Sequence, residues 1–300
     1  MASLFDDRVE RALAGSERQG DIRQVVEKEI LHHDILREMH ERGFLKGLTF
    51  FGGTCLRLCY GSIRLSEDLD FAGGAGFNRE RMDGLAEVLE HGLSRKYGLA
   101  VNVMEPVRAE GNVDTWKILV ITHPGSPNLP QQKIHVDVCA VESRERVPMA
   151  IINHYRTDLG TTGLIVQAES RRELNVDKLL AIAMRPNRVK NRDLWDFAWL
   201  RQIKEERSSP LLSSKLDDRN LLVADFIQAF KTRLETLISG DEPRNDFMRE
   251  MRRFLPPGLY ESTACDPEFW AFVVGLLSEE LAGMTRQLEG HQPPPRWRMD

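Results

Sequence analysis

A turn of small residues, Gly52-Gly53-Thr54, followed by Ser66-Glu67-Asp68-Leu69-Asp70-Phe71, constrains this chain more than any other stretch. Leu48-Thr49-Phe50-Phe51 ahead of the turn reads as a short strand, and Thr54 to Tyr60 beyond it fits a helix of about two turns. Asp68 to Phe71 then forms a second strand. Side chains two apart on a strand share a side, so Asp68 and Asp70 project together while Leu69 and Phe71 face a core. Ser66 keeps the phase of the two aspartates, which lets its hydroxyl reach a phosphate or a metal-bound water; Glu67 points the other way. Glycine permits a close backbone approach, and the amide groups of Gly52, Gly53 and Thr54 at a helix start can cradle phosphates.

A third carboxylate comes from Lys133-Ile134-His135-Val136-Asp137-Val138-Cys139-Ala140. Ile134, Val136 and Val138 share the core side, which leaves Lys133, His135 and Asp137 on the other. Asp68, Asp70 and Asp137 suit a two-metal site for Mg2+, with Mn2+ as a substitute, that clamps the attacking and leaving oxygens of an in-line displacement. Such a site transfers NMP from an NTP and releases pyrophosphate. His135 either orients Asp137 or packs. Arg57 and Arg64 flank the turn and serve either a phosphate or a surface salt bridge.

The first forty-odd residues read as helical, with Asp21 as an N-cap and an end near Gly43. Asn78 is expected to cap a helix reaching about Lys96, and Leu99 to Met104, Trp116 to Thr122 and Leu164 to Gln167 are further strands. The Pro124 to Pro130 stretch reads as a turn-rich connector. Leu174 to Arg185, Asp193 to Lys204, Leu221 to Ser239, Asp246 to Phe254 and Phe269 to Leu288 have helical periodicity, and the Gln292 to Arg296 tail reads as extended. The expected class is therefore α+β: a mixed sheet with helices in residues 1–155 and a mainly helical domain in 156–300.

With 300 residues and 41% hydrophobic composition, a packed core is well supplied. Charges interrupt every apolar segment, so no membrane span is expected, and no secretory leader is apparent; the cytoplasm is the expected location. The four cysteines, Cys55, Cys59, Cys139 and Cys265, are scattered and read as reduced. A net charge of -5 argues against a uniformly basic nucleic-acid coat, although Arg185 to Arg192 is a local basic run. Trp195 and Trp199 read as core.

Phe51-Gly52-Gly53-Thr54-Cys55-Leu56-Arg57-Leu58-Cys59-Tyr60-Gly61 with Arg64 to Phe71 resembles the AbiEii/AbiGii-type nucleotidyltransferase toxins. Asn175-Val176-Asp177-Lys178-Leu179-Leu180-Ala181 and Arg192-Asp193-Leu194-Trp195-Asp196-Phe197 are similar to that family's later motifs, so the resemblance runs from about residue 45 to 200. It implies a polymerase-beta-like catalytic fold, a phosphate-binding role for Lys178, and a required acidic residue at Asp193. Without it, Lys178 on an amphipathic helix reads as a snorkelling surface cation, and Asp193 and Asp196 as complements of a helix dipole. The resemblance further implies a toxin-antitoxin or abortive-infection setting, a tRNA 3′ end as leading acceptor and an antitoxin from a neighbouring gene. The competing readings are a small-molecule, antibiotic-type nucleotidyltransferase and a non-catalytic nucleotide-binding module.

Overall fold

The computed structural model describes residues 3–14, 19–107, 111–125, 131–205 and 207–290, without the side chains of 19–21 and 288–290. The 292–296 tail and residues 126–130 of the connector lie outside these. Two compact units divide the chain: Met1–Leu174 with Met251–Tyr260, and Asn175–Glu250 with Glu261–Asp300.

The first unit begins with α1 (Leu4–Leu13), whose Ser3 hydroxyl accepts from the Asp6 N–H while Asp6 reaches back to the Ser3 N–H. The region expected to be helical holds two helices. Its second, α2 (Gln19–Glu41), starts two residues before the expected cap Asp21. Then follow β1 (Thr49–Phe51), α3 (Gly52–Tyr60), β2 (Leu69–Ala72), α4 (Leu85–Tyr97), β3 (Val101–Met104), β4 (Val113–Val120), β5 (Gln132–Cys139), β6 (Arg146–Ala150) and β7 (Ile165–Glu169). The seven strands form one mixed sheet ordered β3-β4-β5-β2-β1-β7-β6. β7 joins that sheet, which is why the sheet unit runs on past residue 155.

Alternation fixes which face is core. Trp116, Ile118 and Val120 of β4 and Ile134, Val136 and Val138 of β5 are buried, and α2 packs on β5 while α4 packs on β3. Phe50 and Phe71, register partners on β1 and β2, stack with centroids 5.1 Å apart. Each such side chain stabilises by roughly 1.5–3 kcal/mol when fully buried. Asn78 does cap a helix, but only the 3-10 turn Arg79–Met82; Gly84 at φ 82° then separates that turn from α4.

The second unit is helical. The division falls within α5 (Arg171–Met184), and α6 (Asn191–Gln202), α7 (Ser209–Asp217), α8 (Val223–Leu237) and α9 (Glu242–Met251) follow. After α10 (Pro257–Ser262) comes α11 (Pro267–Gly290), which packs on α6 and α8. Trp195 is buried as expected and lies against Phe269, 5.3 Å between centroids. Among the described residues, no helix is long and apolar enough to cross a membrane.

Candidate functional site

β2 and β5 run parallel with Asp70 opposite Asp137. Parallel register partners share a face at about 4.8 Å spacing, so these two carboxylates stand side by side on the face opposite Val136 and Val138. The turn explains its own glycines. Gly52 takes φ 80° where β1 passes into α3, and a Cβ there would overlap Asp70 Oδ2 and stand 3.1 Å from its Cγ. A Cβ on Gly53 would overlap the Arg64 guanidinium and stand 3.2 Å from Ser66 Oγ. Gly52→Ala therefore combines a left-handed backbone with displacement of a site carboxylate. We expect turnover to fall roughly 10²-fold, the usual scale for a displacement near 1 Å. A thermal melt within a few degrees of wild type, beside a turnover assay, checks that the loss is positional.

Asp68 immediately precedes β2 and is directed at His135: its Oδ1 accepts the His135 backbone N–H at 3.1 Å and lies 3.3 Å from Nδ1. Burial disfavours its charged form, yet the hydrogen bonds and charge of His135 outweigh that and hold the Asp68 carboxyl at about 2. His135 thus orients Asp68, whereas the sequence left it either to orient Asp137 or to pack. The loop before Asp68 is tied from three directions. Thr54 Oγ1 donates to Ser66 Oγ at 2.8 Å and also reaches the Asp68 carbonyl. Both hydroxyls are buried and engaged within the fold.

From α2, the fully buried Glu29 accepts from Ser66 N–H at 3.0 Å, from Tyr155 O–H at 2.5 Å and from Arg57 Nε at 3.1 Å. Arg57 also donates to the Ser62 and Ile63 carbonyls, so of its two expected roles the structure places it in a salt bridge, one that is buried. From beyond α9, the Phe254 carbonyl accepts the Leu65 N–H at 2.8 Å, Arg253 pairs with Glu67 at 3.0 Å, and the buried Arg64 guanidinium sits 5.9 Å from the Phe254 ring centroid. Glu29, Tyr155 and Phe254 were missed from sequence. Only Glu29 carried a signal, a charge at helical spacing from the apolar Ile22, Val25, Val26 and Leu36.

The donors available to a metal are hard carboxylate oxygens, the chemistry that suits Mg2+. Among the described residues no three His, Cys, Asp or Glu side chains form a group able to hold a metal. Mg2+ commonly uses one or two carboxylates together with substrate phosphates instead of an all-protein cage, and the Asp70–Asp137 pair fits that mode.

In the helical unit, the buried Lys178 Nζ lies 2.9 Å from Asp193 Oδ1 and 2.8 Å from Asp196 Oδ2, and Arg185 Nη2 lies 2.7 Å from Asp193 Oδ2. Burial opposes the charge on Asp193, but Lys178 and Arg185 prevail and hold its carboxyl at about 2. The basic run is largely neutralised within this unit: Arg188 pairs with Asp246 at 3.3 Å and Arg192 with Glu250 at 3.3 Å. Cys55 and Cys59 are buried, Cys139 and Cys265 half-buried, and none of the four is in a disulfide.

A family model described as "Nucleotidyl transferase AbiEii toxin, Type IV TA system" matches residues 34–274. No curated protein matches in sequence. Among solved structures, MenT4, a nucleotidyltransferase toxin from Mycobacterium tuberculosis, is similar at 16% identity and TM-score 0.51, covering 92% of this chain and 97% of its own. JHP933 from Helicobacter pylori is similar at 16% identity and TM-score 0.47, covering 90% and 98%.

Proposed function

Because the chain belongs to the AbiEii family of nucleotidyl transferase toxins of type IV toxin-antitoxin systems, we propose that it transfers NMP from an NTP to the 3′ end of tRNA with Mg2+. The observation that carries this reading is the register that sets Asp70 beside Asp137, with the Gly52 backbone against Asp70. A divalent ion bound there would neutralise charge on the phosphate oxygens, and Mn2+ would substitute.

The chain's own residues supply the rest. Asp70 and Asp137 would hold the ion, and Asp137 also takes the proton of the attacking hydroxyl. The acceptor oxygen bonds to the α-phosphorus, the bond from that phosphorus to the bridging oxygen breaks, and pyrophosphate leaves. Asp68, ionised at any physiological pH, fixes the end of the loop against His135 and adds negative charge beside the pair. The amide groups of Gly52, Gly53 and Thr54 cradle phosphate at the start of α3. Lys178 and Asp193 keep the phosphate-binding and acidic roles that the family resemblance gives them, as part of the proposal. A cytoplasmic setting, a cognate antitoxin from a neighbouring gene and a role in abortive infection complete the reading.

The test incubates purified protein with Mg2+, each labelled NTP in turn, and either total bacterial tRNA or a panel of small alcohols and aminoglycosides. Label on RNA that requires metal, Asp68 and Asp70 is the expected result. Label confined to small molecules would replace the acceptor, and label nowhere would remove the proposed transfer.

A further inference from the structure

One face of the sheet is covered by α2 and α4, and the other carries the site. On that second face β4 presents Val113, Thr115, Lys117 and Leu119, the register partners of Cys139, Asp137, His135 and Lys133 on β5. The edge strand β3 adds Asn102 and Met104, partners of Leu119 and Lys117. Lys117, Lys133, Asn102 and Met104 are exposed, while Thr115, Leu119, His135 and Asp137 are half-buried. The surface is therefore open and runs straight to the Asp70–Asp137 pair.

Its charges are placed unusually. Lys117 lies directly across from His135, and Lys133 is two residues from His135, so the two ammonium groups are diagonal neighbours on adjacent strands. Among the described residues neither lysine side chain has a hydrogen bond or an ion pair. The run the sequence flagged behaves otherwise, since Arg185, Arg188 and Arg192 are each paired to a carboxylate.

We propose that this open face is the docking surface for the acceptor, with Lys117 and Lys133 contacting its phosphate backbone and Thr115 and Asn102 lining the approach to Asp137. The inference rests on the nucleic-acid reading of the acceptor given above. Two cations without a counter-ion among the described residues, one on the strand of Asp137 and one on the strand beside it, suit a chain of phosphates better than a neutral alcohol.

The test measures binding of 5′-fluorescein-labelled total bacterial tRNA to the full chain by anisotropy between 50 and 300 mM salt, together with NMP transfer. Lys117→Gln/Lys133→Gln is expected to weaken binding roughly tenfold or more near 0.1 M salt and to reduce the salt slope by roughly 1.5, since each phosphate contact contributes about 0.7–0.9. The KM for NTP and the melting temperature stay at wild-type values, and Arg188→Gln, whose guanidinium is paired to Asp246, leaves the slope unchanged. A wild type that does not bind tRNA, or a double variant with the wild-type slope, overturns the docking surface. Lysine-dependent binding without any transfer to RNA would keep the surface and overturn the transfer reading instead.

Discussion

Asp70→Asn is expected to reduce NMP transfer by roughly 10³-fold or more while leaving the fold intact. The asparagine keeps the shape that lies against Gly52, so the turn and the register of β2 with β5 persist. What is lost is one of the two negative charges facing the substrate phosphates. Charge stabilisation by a carboxylate-held ion is worth several kcal/mol at the transition state, and each 1.36 kcal/mol is tenfold in rate. Single-turnover transfer with labelled NTP reads the loss, and a thermal melt shows that folding is retained. Transfer within tenfold of wild type, with Mg2+ still required, would remove Asp70 from the site and leave the glycine turn without a functional partner.

The strands and the carboxylates were legible because period-two patterning in β2 and β5 leaves little choice of face. Leu69, Phe71, Ile134, Val136 and Val138 all had to be core, which put Asp70 and Asp137 opposite them. β6 was missed because Pro148 interrupts its pattern; the strand ends the sheet, where a missing N–H is tolerated. α7 and α10, not expected from the sequence, carry Pro210 and Pro257 in their first turns, where proline is favoured. The environment of Thr54, Ser66 and Arg57 was hardly legible, the charge of Glu29 among apolar residues at helical spacing being its one sign. Their partners, Glu29, Tyr155 and the Ser62 and Ile63 carbonyls, come from α2 and from loops, and no spacing rule links those positions.

Lys178→Met is expected to destabilise the chain by about 3–5 kcal/mol, because it removes from a buried cluster the cation that Asp193 and Asp196 share. At about 2–4 °C per kcal/mol, the melting temperature should fall by roughly 10 °C. Adding Asp196→Asn to that variant should recover part of the loss, since it also removes a buried charge that Lys178 balances. Acid titration offers a second readout. The Asp193 carboxyl is held at about 2 when folded, against an ordinary 3.8, so its contribution is fully present above about 4 and is lost as pH falls toward 2. That contribution, roughly 2 kcal/mol, should shrink in Lys178→Met because one of the two cations that lower the pKa is gone. The phosphate role implied for Lys178 is separated from this structural one by the KM for NTP, measured below the melting transition. A raised KM in folded protein assigns phosphate to Lys178, whereas an unchanged KM beside a lowered melting temperature confines it to holding α5 and α6 together.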